Sequence, residues 1–298
     1  MFFIKIPFFD LDKTYSTNLC TGWLRVKEGK YFIVDGEHFV TVEQGYSGNF
    51  GFSCSEDEFY EHWYKYFNLE VDYAMYNYTI RCLGKSLKRA AVRGAGIRIP
   101  QQNLTQTIVR QVFNEMFDDK IAITLEAMFR QAIGTKRRNT IKGVGPTTWY
   151  ALPSNEDIIK NYKKVTKLFK EVTPRKSKKK IIWCLKTIKA IVSDLEWYGF
   201  DDMETHEVIE NLMGYGISLK GAQYICIKCI NRHKVFVVDD VTEKAVSNID
   251  DWDEYKDAND FCQWILIDEK ESMSAYLNEI IRWDLLNPPK HGDEPLWE

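Results

Sequence analysis

The sequence predicts an α+β protein, with an N-terminal antiparallel β domain over residues 1–71 and a mostly α-helical core over residues 72–298. Three observations predict it. Short alternating runs separated by glycine turns fill the first 54 residues. Apolar side chains recur at helical spacing from Asp72 onward. Residues 212–222 read as a helix end, a glycine-containing hairpin and the start of a second helix.

A chain of 298 residues has room for about two domains. Its 45 % hydrophobic and 14 % aromatic content is ample for packed cores. No apolar run approaches the ~20 residues that span a bilayer. Met1 to Phe9 is too short for a signal peptide and lacks the small-residue cleavage pattern, so no membrane partner and a cytoplasmic location are expected. Seven cysteines, an odd number scattered along the chain, suit a reducing compartment better than a disulfide framework. The net charge of −3 would argue against nucleic acid if it were evenly spread. It is not. Lys160 to Ala190 holds twelve Lys or Arg and one acid, Glu171, whereas Asp250 to Glu254 and the tail carry the opposite sign. A local basic face on an acidic protein can bind a phosphate backbone, because salt keeps the interaction short-ranged. The same lysines also suit plain solvated helices.

In chain order, Met1 to Ile6, Gly22 to Val26, Tyr31 to Val34 and Phe39 to Glu43 read as short strands, with hairpin turns at Glu28-Gly29-Lys30 and Asp35-Gly36. Ser55-Glu56-Asp57-Glu58 is a capping box that starts a helix through Phe67. Tyr73, Tyr76, Ile80, Leu83 and Leu87 then form a helical stripe, read as core. Gly94 to Pro100 breaks the helices, and Gln102-Asn103-Leu104 opens the next one. Lys142 to Pro146 reads as a loop. Ser154 caps a new helix, and two basic helices, Lys160 to Lys170 and Lys176 to Ala190, flank Thr173-Pro174. Cys226 and Cys229 with His233 have a spacing seen in zinc sites. One turn apart on an apolar helix, they read instead as buried thiols.

The chemistry concentrates between Glu210 and Val241. A helix ends, Gly214 and Gly216 turn the chain, and an apolar helix begins at Lys220 and stops near Asn231 to His233. A β-type run, Val235 to Val238, then delivers Asp239. The second helix's unpaired N–H groups and the positive end of its dipole suit a phosphate. A cation in the first turn of that helix is mildly disfavoured, so Lys220 asks for a reason. An amine and a carboxylate brought together beside a phosphate-binding turn are what attack on a sugar carbon requires.

This stretch resembles the helix-hairpin-helix plus Gly/Pro-Asp (HhH-GPD) signature of base-excision DNA glycosylases, and most closely the 8-oxoguanine DNA glycosylase/lyase branch. Gly216-Ile217-Ser218-Leu219-Lys220-Gly221-Ala222 and Val237-Val238-Asp239 fill the motif's places, with Ser218 for its second glycine and Val237 for its proline. Phe67-Asn68-Leu69 and Pro153-Ser154 match shorter phrases of the branch. The resemblance, over about residues 9–285, implies a helical core of two subdomains behind the β domain.

It also implies roles. Lys220 would be the nucleophile and Asp239 the carboxylate that accepts a proton or stabilises charge on the sugar. Asp240 would face away, and Val241 stands where the family places a phosphate-contacting histidine. Gly214, Gly216 and Ser218 of the hairpin, with Lys179 and Lys180, would contact DNA. The base pocket would take in Asn18, Met116, Tyr224, Asn278 and Arg282, with Tyr224 and Arg282 able to sandwich a base. These pocket positions differ from the branch. The implied activity is that of a bifunctional DNA glycosylase/AP lyase of base-excision repair, excising a damaged purine, oxidised as in 8-oxoguanine, through a lysine Schiff base. It would need no cofactor or metal. The expected partner is double-stranded DNA containing a damaged base, met by a monomer. Two alternatives stay open: a non-catalytic DNA-binding protein that kept the hairpin, and a glycosylase for a different lesion.

Overall fold

The structure is a computed structural model, and it describes residues 1–17, 19–141, 145–195, 200, 202–230, 234–249, 257–266 and 272–288. Asn18, His233, the acidic run 250–254 and the tail from 289 lie outside the described residues.

The N-terminal strands are β1 (Phe2–Lys5), β2 (Trp23–Lys27), β3 (Lys30–Asp35), β4 (His38–Gln44) and β5 (Asn49–Phe52). They pair antiparallel in the order β1-β5-β4-β3-β2. Helix α1 (Leu11–Ser16) and strand β5 were not expected from the sequence. The α1 helix has a signal that alternation hides, since Asp10 accepts a hydrogen bond from the Lys13 N–H at 2.9 Å as its N-cap. Ser55 does cap a helical run, from α2 (Glu56–Glu58) through a π-turn (Phe59–Trp63) to α3 (Tyr64–Tyr66). That run covers one face of the sheet and buries Phe59, Trp63, Tyr66 and Phe67 against Phe50, Phe52 and Tyr31. The Trp23 indole donates to the Tyr66 hydroxyl at 2.6 Å, which satisfies both polar tips inside this aromatic core.

The helices α4 (Tyr73–Arg81), α5 (Lys85–Arg93), α6 (Leu104–Asn114) and α7 (Asp119–Ile133) follow. Next come a hairpin of β6 (Lys136–Ile141) and β7 (Gly145–Tyr150), then α8 (Asn155–Val172), α9 (Lys178–Leu195), α10 (Thr205–Gly214) and α11 (Leu219–Cys229). The last described helices are α12 (Asp240–Ser247), α13 (Ala258–Ile265) and α14 (Ser274–Leu286). Of the loop expected over residues 142–146, Gly145 and Pro146 lie instead in β7, where Pro146 pairs with Thr140, and 142–144 lie outside the described residues. The strands β6 and β7 carry few apolar side chains, so the sequence lacks the apolar alternation that marks a half-buried strand. Among the described residues, no helix is long and apolar enough to cross a membrane.

The helices divide into two buried clusters. One joins α6 to α11 around Val109, Phe113, Phe169, Ile188 and Ile225. The other joins α4 and α5 to α12, α13 and α14 around Tyr73, Leu87, Phe261 and Tyr276. The chain thus leaves its second cluster after α5 and returns to it after α11. Arg98 sits at the junction, 5 % exposed, donating to the carbonyls of Phe8 (3.2 Å) and Asn68 (3.0 Å), with its guanidinium 4.9 Å from the Tyr73 ring centre. A charge so buried is tolerated because its donors are occupied.

Candidate active site

The α10–α11 hairpin follows directly from its residues. Gly216 takes φ +87°, which a side chain rarely adopts, and a Cβ there would lie 3.1 Å from the Trp183 ring of α9. Ser218 caps α11, its hydroxyl accepting from the Gly221 N–H at 3.1 Å and donating to Glu115 at 3.0 Å. The helix therefore begins at Leu219, one residue earlier than expected. Gly221 lets α11 approach α6, since a Cβ would fall 2.2 Å from Glu115 Oε1 and 2.7 Å from Gln111 Nε2.

Lys220, in the first turn of α11, places its Nζ 2.6 Å from Asp239 Oδ2. Its side chain is 51 % exposed and that of Asp239 only 10 %. Asp239 is the N-cap of α12, its Oδ1 accepting from the N–H groups of Val241 (3.2 Å) and Thr242 (3.0 Å). The run from Val235 to Val238, buried up to Val237, joins no strand, which corrects the expected β segment. Its backbone is fixed by side chains instead. The Val237 carbonyl accepts from the Thr242 hydroxyl at 2.8 Å and from Asn278 Nδ2 at 2.9 Å. Asp240, next in the chain, is exposed.

A second cation, the Arg282 guanidinium, pairs with Asp239 Oδ1 and donates to the Thr242 hydroxyl at 2.8 Å. Burial would raise the Asp239 carboxyl, but Lys220, Arg282 and the Thr242 amide outweigh it and hold the carboxyl well below the usual carboxylate range. This acid is an anion at every physiological pH.

Beside the pair opens a cavity of about 350 Å³, lined by Ser16, Thr17 and Leu19, by Gln111, Asn114 and Glu115 of α6 and its end, and by residues of α11 and α14. Lys220, Tyr224 and Lys228 share one face of α11, and Glu279, Arg282, Trp283 and Leu286 come from α14. The Trp283 indole donates to the Ser16 hydroxyl at 2.7 Å, linking α14 to the end of α1. Burial pushes the Glu279 carboxyl up to about 7, with Asp239 adding to the rise and Arg282 and Lys228 opposing it. Burial lowers Lys228 from the usual lysine range.

The expected base-pocket residues are only partly brought together. Tyr224 and Arg282 line the cavity, but the Arg282 guanidinium stands 6.0 Å from the Tyr224 ring centre and is tied to Asp239 and Thr242. That corrects the sandwich, since a base between two planes needs a wider gap and a free partner. Asn278 is 0 % exposed and turned beneath Asp239, holding Val237 rather than facing the cavity. Met116 packs partly buried against the main helical cluster and is not among the lining residues. Asn18 is outside the described residues. The sequence reading missed Lys228, Glu279, Asn114 and Trp283. The four-residue spacing of Lys220, Tyr224 and Lys228 was a usable signal for the first.

The residues expected at DNA lie on α9 and on the hairpin it packs against. Lys179 and Lys180 are exposed in the first turn of α9, whose Trp183 rests on Gly216 of the hairpin. Lys180 Nζ reaches the Met116 carbonyl at 3.3 Å. Gly214 has open space where a Cβ would be.

A hairpin between two helices, a lysine at the start of the second and an aspartate capping the next are the arrangement that the resemblance to the helix-hairpin-helix glycosylases implies. Residues 2–108 match the family model described as the N-terminal domain of 8-oxoguanine DNA glycosylase. Over 95 % of this chain and 94 % of the other, the structure is similar to MBOgg1 solved in complex with low affinity DNA ligand, with a TM-score of 0.77 and 18 % identity. It is similar to the apo-form of Clostridium acetobutylicum 8-oxoguanine glycosylase/lyase, with a TM-score of 0.73 and 19 % identity over 94 % and 95 % of the two chains. It is also similar to the 3-methyladenine DNA-glycosylase from Archaeoglobus fulgidus, with a TM-score of 0.67 and 15 % identity over 96 % and 98 %. A search of curated protein sequences found no match. The chain has the fold of the 8-oxoguanine DNA glycosylases.

Proposed function

We propose that the protein is a DNA glycosylase with AP lyase activity that removes a damaged purine from double-stranded DNA. The observation that carries this reading is the 2.6 Å contact between Lys220 and Asp239 at the edge of a cavity. In its unprotonated form, the Lys220 amine forms a bond to C1′ of an extruded nucleotide. The C1′–N bond to the base breaks, its electron pair leaves with the base, and the base nitrogen takes up a proton. Opening of the sugar ring gives an imine, and loss of a C2′ proton expels the 3′ phosphate.

The depressed Asp239 carboxyl is too weak a base to take the lysine's proton at rest. Its role is electrostatic, a fixed anion facing the positive charge that develops on the sugar. The hairpin and the start of α9 would hold the strand, with Leu219 and Lys220 N–H groups left free of the Ser218 cap. Single-turnover assays on duplexes carrying one lesion test the reading. Wild type should release the base and nick the strand. Lys220→Gln should abolish nicking, and Asp239→Asn should slow base release at least ~100-fold. Nicking by Lys220→Gln at the wild-type rate would refute the assignment. The likeness to a 3-methyladenine glycosylase makes an alkylated purine the second lesion class to include.

A further inference from the structure

A second cavity, of about 620 Å³, opens between α6, α7 and the strands β2 and β7. It shares Ser16, Asn114 and Lys228 with the cavity at Lys220, but none of Lys220, Asp239, Glu279 or Arg282 lines it. Its volume falls in the range of small-molecule sites, roughly 300–1,000 Å³.

The deep end of this cavity is cationic. Arg110 of α6 and Arg130 of α7 share one carboxylate, that of Glu126, which is 2 % exposed. Arg110 Nε donates to Glu126 Oε2 at 2.6 Å, and Arg130 pairs with Oε1 from one turn further along α7. Burial would raise the Glu126 carboxyl, but the two guanidiniums outweigh it and keep this acid an anion. Two arginines on one carboxylate leave a positive charge over, and Lys228 brings a second. Burial lowers Lys228 and the Arg110 charge adds to the fall, as two cations facing one cavity should. The other acids of the lining do not offset these charges. Asp12 is paired with Arg25 at 3.2 Å, and Asp119, 3.7 Å from Arg110, is 63 % exposed, where solvent screens it.

Two polar atoms here lack partners. Arg130 is 8 % exposed, yet its Nε is buried with no hydrogen bond, and so is Asn114 Oδ1 at the end of α6. Unmatched buried groups are costly, and a native fold keeps them where a ligand supplies what is missing. A guanidinium N–H calls for a phosphate or carboxylate oxygen, and an amide oxygen for a hydroxyl or N–H. Half-buried aromatic side chains stand around the charged end: Tyr15 of α1, and Trp149 and Tyr150 of β7. Trp149 is held in place by stacking on Phe39 with 5.3 Å between ring centres. An anion, a hydroxyl donor and a flat ring are together the parts of a nucleotide.

We propose that this cavity binds a free nucleoside monophosphate, its phosphate facing Arg130 and Lys228, a sugar hydroxyl donating to Asn114, and its base against the aromatic side chains of β7. The site takes a small molecule rather than the DNA strand, and it does not depend on the chemistry at Lys220.

Calorimetric titration of the whole protein with dAMP, deoxyadenosine and inorganic phosphate tests it. Wild type should bind dAMP at least about tenfold tighter than either part alone. Arg130→Met should weaken dAMP by at least about tenfold. Removing Arg130 also disturbs the buried triad, so Ala127, an exposed residue of the lining, gives a second reading. Ala127→Glu should weaken dAMP by about threefold or more, and Ala127→Lys should not. Lys220→Gln should leave the affinity within about twofold of wild type. The proposal is overturned by any one of four results: no saturable binding of dAMP below about 1 mM, dAMP binding no tighter than its parts, equal affinities in the two Ala127 variants, or a loss in Lys220→Gln as large as in Arg130→Met.

Discussion

Asp239 is the most heavily partnered side chain of the site, serving two cations and the first turn of a helix. Arg282 was expected to stack on a base and instead holds this carboxylate. The sign of its effect follows from the shift. The folded carboxyl is depressed, so the anion persists at low pH, and removing Arg282 lets its pKa climb back toward 3.8. Arg282→Met should therefore move the acid limb of the pH–rate profile upward, with at least a ~10-fold larger loss at low pH than at pH 8. Single-turnover rates across pH measure it, and an unshifted limb would show that Lys220 alone holds the charge. Lys220 and Asp239 were legible in the sequence because their motif spacing fixes them. Glu279 was not. The resemblance points instead to its neighbour Asn278, and one residue on a helix turns a side chain by about 100°.

At the scale of elements, the hairpin was readable because glycines so placed have few other uses than a turn. The approach of α9 to it was not, because Trp183 reads equally as ordinary core. Gly216→Ala places a Cβ at positive φ and against that indole. It should cost about 1–2 kcal/mol of stability and weaken DNA binding more than Gly214→Ala, whose Cβ would stand in open space. Duplex binding titrations at one salt concentration make the comparison. The missing proline at Val237 also finds its reason here. Thr242 and Asn278 fix the Val237 carbonyl, so the chain reaches Asp239 held by hydrogen bonds rather than by a ring. The β6–β7 ribbon stayed illegible because the half-buried face of β7 is Gly145, Thr147 and Trp149, too polar a set to show apolar alternation.

For the whole molecule, the cavity forms where the end of α1, α6, α11 and α14 meet, while Arg98 ties the chain segments at Phe8 and Asn68 together through buried carbonyls. Arg98→Met strips donors from buried carbonyls at that junction and should destabilise the protein by on the order of 3 kcal/mol. Chemical denaturation would measure the loss, and a change under about 0.5 kcal/mol would contradict the role given to Arg98. The broad architecture was legible because patterning changes near Asp72. The return of the chain to the α4–α5 cluster after α11 was not, because no local signal records which distant helices share a core.

Two lysines, Lys220 and Lys228, line the cavity, and the central claim is that only the first reaches the sugar. Borohydride reduction on an abasic duplex, followed by digestion and mass mapping of the cross-linked peptide, reads this directly. The account predicts an adduct on Lys220; an adduct on Lys228 or on any other residue, or none at all, would contradict it.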